Sequence, residues 1–340
     1  MGDANPEPTP APEPAPPEES PVESHDESDP ESDWDPNQPF LVSNDKPTVL
    51  ITGCSDGGIG SALARAFWDR GYHIYATARH VGNNMQAVDC LSDVAMLQLD
   101  VTKPEDIRKA VEVVEMQTGF RGLDILVNNA AQPHFMPLLD EDLDQVRQKF
   151  EVNYLAPLAV TQAFAPLLMR AKGTAVFVTS IAGYVNIPYL GTYSALKRAE
   201  EFMAETLRHE LKPFGVDVME IVTGAVQSKG QTHFDDFVLP EGSVYKPIEY
   251  VIKARAQGHD GVTRMDTMEY ARAVVDEVLA SPERRTKGRV WCGAGAEMAK
   301  GMMVPAGWDQ EAMDAIAVKG QGLEELGKEA TLEVRGGKPE

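Results

Sequence analysis

The sequence has 340 residues, of which 43% are hydrophobic and 25% are charged, and its formal net charge at pH 7 is -22. This is the composition of a globular protein, and the chain is long enough to bury a large core. The acidic excess disfavours contact with a phosphate backbone, so we expect no nucleic-acid partner. Cys54, Cys90 and Cys292 form no CxxC pair and no metal-like spacing with histidine, so we expect neither a metal site nor a disulfide framework.

The first 46 residues differ in composition from the rest of the chain. Residues 1–40 are rich in proline and contain twelve Asp or Glu and no Lys or Arg. Such a segment cannot bury enough apolar surface to offset the entropy lost on ordering, so residues 1–46 are predicted to be a disordered tail. There is no signal-peptide pattern and no stretch of roughly 20 apolar residues, so we expect a cytoplasmic protein without an integral membrane segment. The predicted domain spans 47–317, followed by a polar tail over 318–340.

Regular structure is predicted to begin at residue 48, where an apolar run between a proline and a glycine indicates a buried strand. The pattern then predicts, in chain order, a helix over 61–70, strands over 73–77 and 94–99, a helix over 104–118, a strand over 123–127, a helix over 143–171, a strand over 175–179, a helix over 192–211, a strand over 216–221, a helix that closes at 275–280 and a strand over 289–291. Thr102 is the predicted N-cap of the second helix. Alternating strands and helices predict an α/β fold, a single doubly wound parallel sheet with helices on both faces.

A glycine-rich turn follows the first strand and precedes the first helix. Glycines in this setting let the chain turn tightly and let main-chain N–H groups approach a pyrophosphate at the helix N-terminus. The alternative is a turn whose glycines serve only its own backbone conformation. We take the turn as a candidate phosphate site, with contacts from Gly53, Ser55, Gly58, Ile59 and Gly60.

The segment after the second strand predicts which nicotinamide cofactor is bound. An acidic residue at this place would bond the ribose 2′-hydroxyl of NAD, whereas an arginine accommodates the 2′-phosphate of NADP. The chain has Arg79 followed by His80 and no acidic residue here, which favours NADPH. The alternative for Arg79 is an ordinary surface cation.

Ser180, Tyr193 and Lys197 are candidates for acid/base chemistry. Tyr193 and Lys197 are four residues apart in a predicted helix and therefore share one face. An ammonium beside a phenol favours the phenolate, which brings the phenol closer to the range where general acid/base catalysis works. Ser180 ends a neighbouring strand and could hydrogen-bond a substrate carbonyl oxygen.

Together, the glycine-rich turn, the Asn-Asn-Ala segment at 128–130 and the Ser180, Tyr193 and Lys197 set resemble the classical short-chain dehydrogenase/reductases, over about residues 47–228 and more weakly to Trp291. The extra residue in the turn and Arg79 look most like the NADPH-dependent acyl-dihydroxyacetone-phosphate reductase branch. The resemblance implies a Rossmann fold, bound NADPH or NADP+, a small-molecule carbonyl or alcohol substrate, and a homodimer or homotetramer.

The resemblance also implies roles for individual residues. Asp100 would contact the adenine, Asn153 would hold a water molecule of a proton relay, Lys197 would bind the nicotinamide ribose, and Ser228 would touch the carboxamide. The implied catalytic set is Asn153, Ser180, Tyr193 and Lys197. The implied cofactor-binding set is Gly53, Ser55, Gly58, Ile59, Gly60, Arg79, Asp100, Asn128, Ala130, Tyr193, Lys197, Val226 and Ser228.

We therefore predict an NADPH-dependent oxidoreductase that reduces a ketone or aldehyde, or oxidises the alcohol, of a bulky and mainly apolar substrate, with Tyr193 as general acid/base. The alternatives are acyl-dihydroxyacetone-phosphate reductase itself, a tailoring reductase of secondary metabolism, a non-catalytic scaffold, and a non-redox isomerase or dehydratase. Residues 224–265 show no clear periodicity and are predicted to be an irregular insertion that borders the substrate. The predicted apolar pocket draws on Pro133, Phe135, Met136, Tyr184, Tyr189, Phe234, Phe237, Val238, Leu239, Tyr245 and Tyr250.

Overall fold

A parallel β-sheet runs through the centre of the computed structural model, which describes residues 46–82, 84–119, 121–280 and 288–303. Its strands are β1 (Thr48–Ile51), β2 (His73–Ala78), β3 (Val94–Gln98), β4 (Ile125–Asn128), β5 (Thr174–Ser180), β6 (Asp217–Thr223) and β7 (Arg289–Cys292). They lie in the order β3-β2-β1-β4-β5-β6-β7, and every neighbouring pair is parallel. Of the predicted tails, residues 1–45 and 318–340 lie outside the described residues.

Helices cover both faces of this sheet. They are α1 (Ile59–Trp68), α2 (Gln86–Asp89), α3 (Pro104–Gln117), α4 (Leu143–Phe150), α5 (Ala156–Ala171), α6 (Gly191–Leu211), α7 (Glu249–Ala256), α8 (Thr267–Val278) and α9 (Ala296–Met303). Successive strand residues point to opposite faces, so Val49 and Ile51 pack with α1 and α8, whereas Leu50 packs with α3, α5 and α6. The predicted doubly wound parallel sheet is confirmed.

The strand order determines where a ligand can bind. After β3 the chain crosses to the far side of β1, so the connections that follow β1 and β4 run in opposite directions. In open α/β sheets, ligands bind in the crevice that this reversal leaves at the carboxyl ends of the strands. Most of the predicted site residues follow β1, β4, β5 and β6, and therefore lie at this edge.

The predicted continuous helix over 143–171 is wrong in one respect, because a π-helical turn, Glu151–Leu155, separates α4 from α5. Hydrophobic periodicity does not reveal a single wide turn, and such turns are frequent at functional sites. The run Leu143–Ala171 has the length and composition of a membrane-crossing helix. However, α5 buries Val160 and Phe164 against the sheet, as a core helix does.

Two other expectations also need correction, and one helix was not expected. Thr102 is not the N-cap of α3. Its N–H and hydroxyl donate to Asp100, and Lys103 takes the N-cap position without a side-chain cap. The insertion over 224–265 is not wholly irregular, because it contains α7, which buries Ile252 and Ala256 one turn apart. Finally, α9 was not predicted.

Candidate active site

The glycine-rich turn joins β1 to α1 at the carboxyl edge of the sheet. Gly53 has a φ angle of +77°, which residues with side chains rarely adopt. A Cβ atom on Gly60 would lie 2.2 Å from the carbonyl oxygen of Gly53, so only glycine permits this approach of α1 to the loop. No side chain caps the N-terminus of α1, which leaves its first N–H groups available to an anion. The turn that contains Gly53, Ser55, Gly58, Ile59 and Gly60 therefore suits a pyrophosphate in shape and in donors.

Asn129 holds this turn against the end of β4. Its Nδ2 donates to the carbonyl oxygens of Thr52 (2.8 Å) and Gly53 (3.1 Å). The N–H groups of Asn129 and Ala130 both donate to Thr52 Oγ1 at 3.0 Å. Asn128 turns the other way, and its Nδ2 donates to a threonine hydroxyl of α5 at 3.0 Å. Asn129 is absent from the predicted set because two adjacent asparagines do not reveal which side chain reaches the turn.

Arg79 and Asp100 lie at the ends of β2 and β3. Arg79 is exposed and has no hydrogen-bond or ion-pair partner among the residues that the structure describes. Burial alone would raise the pKa of Asp100, but hydrogen bonds from Thr102 and the charges of Lys103 and Arg79 lower it. The pKa of Lys149 is lowered, by burial first and then by the nearby charge of Arg79. Arg79 and Lys149 are therefore close enough to affect each other, and two neighbouring cations favour an anionic group at this part of the edge.

One cavity brings three of the four predicted catalytic residues together. Its volume is about 760 Å³, and its lining includes Ser180 at the end of β5 and both Tyr193 and Lys197 from the first two turns of α6. The same cavity reaches Ile59 of the glycine-rich turn, and Val226 and Ser228 after β6. Ser180 Oγ accepts a hydrogen bond from the Ala182 N–H at 3.1 Å, which fixes the hydroxyl at the cavity wall.

Lys197 is buried and firmly held. Its Nζ donates to the Val178 carbonyl at 2.8 Å and to Glu200 Oε2 at 2.7 Å. Burial alone would lower the pKa of Lys197, but Glu200, Tyr193 and Glu220 together raise it, so the side chain stays an ammonium. Glu200 was not predicted. Burial raises the pKa of its carboxyl group, although the charge of Lys197 acts in the opposite direction. In the sequence, Glu200 resembles an ordinary surface charge three residues after a lysine.

Asn153 occupies the π-helical turn and does not line the cavity. Its side chain is buried and forms two hydrogen bonds with the main chain of Gln132, accepting from N–H at 2.8 Å and donating to the carbonyl oxygen at 3.0 Å. This pairing anchors the segment that leaves β4 over the site. The water-holding role that the resemblance implies for Asn153 stays a prediction.

The loop after β6 lies on the glycine-rich turn. Ser228 Oγ accepts from the Gly230 N–H at 3.3 Å, and the Lys229 N–H donates to the Gly57 carbonyl at 3.1 Å. The Lys229 side chain covers Gly57 so closely that a Cβ there would lie 2.7 Å from Cε. This places an exposed cation beside the candidate phosphate site, and Lys229 was not in the predicted set.

The wall opposite the glycine-rich turn is mostly apolar. Phe135 and Phe234 line the cavity with ring centroids 6.1 Å apart, and Met298 and Met302 of α9 complete this wall. Among the other residues predicted for the pocket, only Pro133 lines the cavity. Phe237 and Leu239 are buried behind this wall, where they pack with the partly buried Met136, Tyr189 and Tyr245. Val238 and Tyr250 are exposed. The ring of Tyr184 packs on Trp291, with the ring centroids 4.7 Å apart.

Comparison with known proteins agrees with this geometry. Residues 47–237, more than half of the chain, match the family model described as short chain dehydrogenase. A short-chain dehydrogenase named PC-15 from Penicillium crustosum is 45% identical over 236 residues, which cover 69% of this chain and 85% of that protein. An NADPH-dependent 1-acyldihydroxyacetone phosphate reductase from Schizosaccharomyces pombe is 40% identical over 60% of this chain and 69% of its own length.

A solved structure extends the comparison to three dimensions. A short chain dehydrogenase from Burkholderia cenocepacia in complex with NADP superposes with a TM-score of 0.58 at 24% identity, over 81% of this chain and 98% of that one. At that identity the match supports the fold, and the sequence matches above support the family. The chain belongs to the short-chain dehydrogenase/reductase family of oxidoreductases.

Proposed function

We propose that this protein is an NADPH-dependent reductase that converts a ketone or aldehyde group of a bulky, mainly apolar substrate to an alcohol, or catalyses the reverse oxidation. The observation that carries the proposal is the single cavity lined by Ser180, Tyr193 and Lys197, which extends from the glycine-rich turn to an apolar wall. A nicotinamide cofactor fits this arrangement, since the turn offers uncapped N–H groups to its pyrophosphate. Arg79 has no partner among the described residues and would take a 2′-phosphate.

In this mechanism the residues of the chain bind the substrate and move a proton. The bound cofactor supplies the hydride. The Ser180 hydroxyl orients the carbonyl oxygen, and Tyr193 donates its phenolic proton to that oxygen as it gains negative charge. The Lys197 ammonium, which Glu200 holds in place, attracts the negative charge that Tyr193 carries once it has given up the proton.

A phosphate-bearing substrate is the second candidate, because one cation faces the cavity without a counter-ion. Arg255 lines the cavity and has no ion-pair partner among the described residues, whereas Arg264 is paired with Asp260 at 3.0 Å. An acyl-dihydroxyacetone phosphate would place its phosphate near Arg255 and its chain on the apolar wall. Reduction of that ketone in preference to neutral aromatic ketones would select this candidate over a tailoring reductase of secondary metabolism.

The assembly and location are also proposals. Phe150, Leu155 and Phe202 are exposed on the helical segments α4 to α6, and we propose that they pair subunits in a homodimer or homotetramer. Light scattering of the purified chain would give the subunit number. The cytoplasmic location stays a prediction that a fluorescent fusion would test.

The decisive experiment is a fluorescence titration with NADPH and NADH, followed by turnover with a panel of aromatic ketones. We expect a preference for NADPH, which Arg79→Ala reduces. Tyr193→Phe should bind NADPH like the unmodified protein but lose about 10²- to 10⁴-fold in kcat, since the proton donor is gone. Full turnover by Tyr193→Phe, or failure to bind either nucleotide, would overturn the proposal.

A further inference from the structure

A second acid/base pair lies beside the cavity, separate from Lys197 and Glu200. His134 follows β4, Glu141 precedes α4, and Thr192 lies in the first turn of α6 next to Tyr193. Only 8% of the His134 side chain and 5% of the Glu141 side chain are exposed. His134 Nε2 lies 3.3 Å from Glu141 Oε1, and the Thr192 hydroxyl donates to the other carboxylate oxygen. Three distant segments therefore converge on one buried polar cluster.

This cluster is not fully satisfied by the protein. The contact between His134 and Glu141 lacks the angle of a hydrogen bond, so Nε2 and Oε1 are both buried without an aligned partner. No partner for His134 Nδ1 is found within the described part of the chain. Burial of Nε2 and Oε1 is costly unless they attract each other, so this contact fixes the orientation of the ring and leaves Nδ1 for a ligand.

His134 reaches the cavity itself. It lines the same space as Ser180 and Tyr193, between Pro133 and Phe135 of the apolar wall. With Nε2 turned towards Glu141, Nδ1 is the ring nitrogen left for a ligand. His134 is therefore a polar group set into an apolar surface, within the space where a substrate would bind.

The charges around the ring determine which hydrogen bond it can form. Burial lowers the pKa of His134, Lys149 lowers it further, and Glu141 opposes both, with a net decrease. The imidazole is thus neutral at pH 7. The adjacent carboxylate favours the tautomer with its proton on Nε2, which leaves the lone pair of Nδ1 as a hydrogen-bond acceptor. An acceptor in an apolar wall selects a ligand that carries a hydroxyl or N–H donor.

We propose that His134, oriented by Glu141, is a specificity residue that accepts a hydrogen bond from a hydroxyl group of the substrate. The substrate class is then a hydroxylated aromatic or alicyclic ketone, whose reacting carbonyl meets Ser180 and Tyr193 while a second oxygen meets His134. This inference rests on the reductase function proposed above. A site built to bond a hydroxyl discriminates strongly against an analogue that lacks it, because the buried group is then left unpaired.

The test uses 1-tetralone and its 5-, 6- and 7-hydroxy derivatives, which scan the position of the hydroxyl on one rigid ketone. Their binding to the complex of the protein with NADP+ is measured by calorimetry. We expect at least one hydroxytetralone to bind about 10-fold or more tightly than 1-tetralone. In His134→Phe the ratio of the two affinities, hydroxytetralone over 1-tetralone, should fall to near one. His134→Asn keeps a polar group near the Nδ1 position and should retain part of the ratio, as should Glu141→Gln.

His233→Phe is the matched control, since His233 is exposed and does not line the cavity, and it should keep the full ratio. Thermal melting and NADP+ affinity of each variant separate a folding defect from a loss of recognition. If NADP+ fails to bind, the proposed function fails, and the same titrations on the protein alone still decide the role of His134. The inference is overturned if no hydroxytetralone exceeds 1-tetralone, or if His134→Phe leaves the ratio intact.

Discussion

Two walls of the cavity are built by different kinds of interaction. The wall formed by the glycine-rich turn is held by hydrogen bonds to the main chain, among them those from Asn129 to Thr52 and Gly53 and from Lys229 to Gly57. The opposite wall is formed by side chains of distant segments, in which Phe135 and Phe234 are in ring contact and the largely exposed Met298 and Met302 of α9 line the cavity. A backbone cradle tolerates almost no change in its residues, whereas a packed apolar wall accepts other side chains of similar volume.

This difference suggests how the two walls divide the work of the enzyme. In the proposed function the wall formed by the glycine-rich turn, here called the cofactor wall, binds the cofactor; its turn is one short segment, which Asn129 and Lys229 hold from distant parts of the chain. The apolar wall, here called the substrate wall, would bind the substrate, and it is assembled from three separate segments that contain Phe135, Phe234 and the methionines of α9. Substitutions in the first wall should therefore change nucleotide binding, and substitutions in the second should change substrate preference alone.

Gly60→Ala should give the largest effect, on the cofactor wall. The added methyl group would lie 2.2 Å from the Gly53 carbonyl and 2.6 Å from Asn129 Nδ2, so the turn must shift. We expect NADPH affinity to fall about 10- to 100-fold, as for an overpacked site, and the melting temperature to fall too. Gly301→Ala in α9 is the control, since its Cβ meets nothing within 4 Å. Equal NADPH affinity in both variants would show that the turn does not bind the cofactor.

Phe234→Ala should give an intermediate effect, confined to the substrate wall. Loss of the ring opens the cavity and removes its contact with Phe135. We expect KM for bulky aromatic ketones to rise about 10-fold, from lost apolar contact, with NADPH affinity unchanged. Tyr250→Ala removes an aromatic side chain that is 75% exposed on α7, and should leave KM as it was. A parallel rise in the Kd for NADPH would contradict the division between the two walls.

The fold was largely predictable from the sequence, because strands buried on both faces are short apolar runs bounded by glycine, proline or polar residues. The candidate catalytic residues were predictable for a similar reason: Tyr193 and Lys197 are close in the chain, so a local motif contains their geometry. The glycine-rich turn is likewise one continuous segment.

What could not be predicted depends on contacts between distant segments. Glu200 and Glu141 look like surface acids in the sequence, and only the fold shows that Glu200 is buried beside the Lys197 ammonium and Glu141 beside the His134 imidazole. The π-helical turn around Asn153 changes the helical repeat over five residues only, which is too short a stretch to alter the hydrophobic pattern of the sequence. In α9, Met298 and Met302 are a weak apolar pair at helical spacing, and their place in the cavity wall depends on how the chain leaves β7.

The last prediction concerns the stability of the fold and involves Glu220, which lies in β6 beside Thr179 and Arg289. It accepts hydrogen bonds from Thr179 at 2.7 Å and from Arg289 at 2.6 Å, and burial, opposed by Arg289, raises its pKa from 4.5 to about 7. Because the folded state binds this proton more tightly, the resulting stabilisation is complete below about pH 4.5 and is lost as the pH rises through 7. The stability of the unmodified protein relative to Glu220→Gln should therefore fall between pH 5 and pH 8, by on the order of 3 kcal/mol at most. Denaturant unfolding at both pH values would measure it, with Glu112→Gln on the exposed face of α3 as control. If the free energy of unfolding of the two proteins changed equally with pH, Glu220 would be ionised throughout this range, and Arg289 would outweigh the effect of burial.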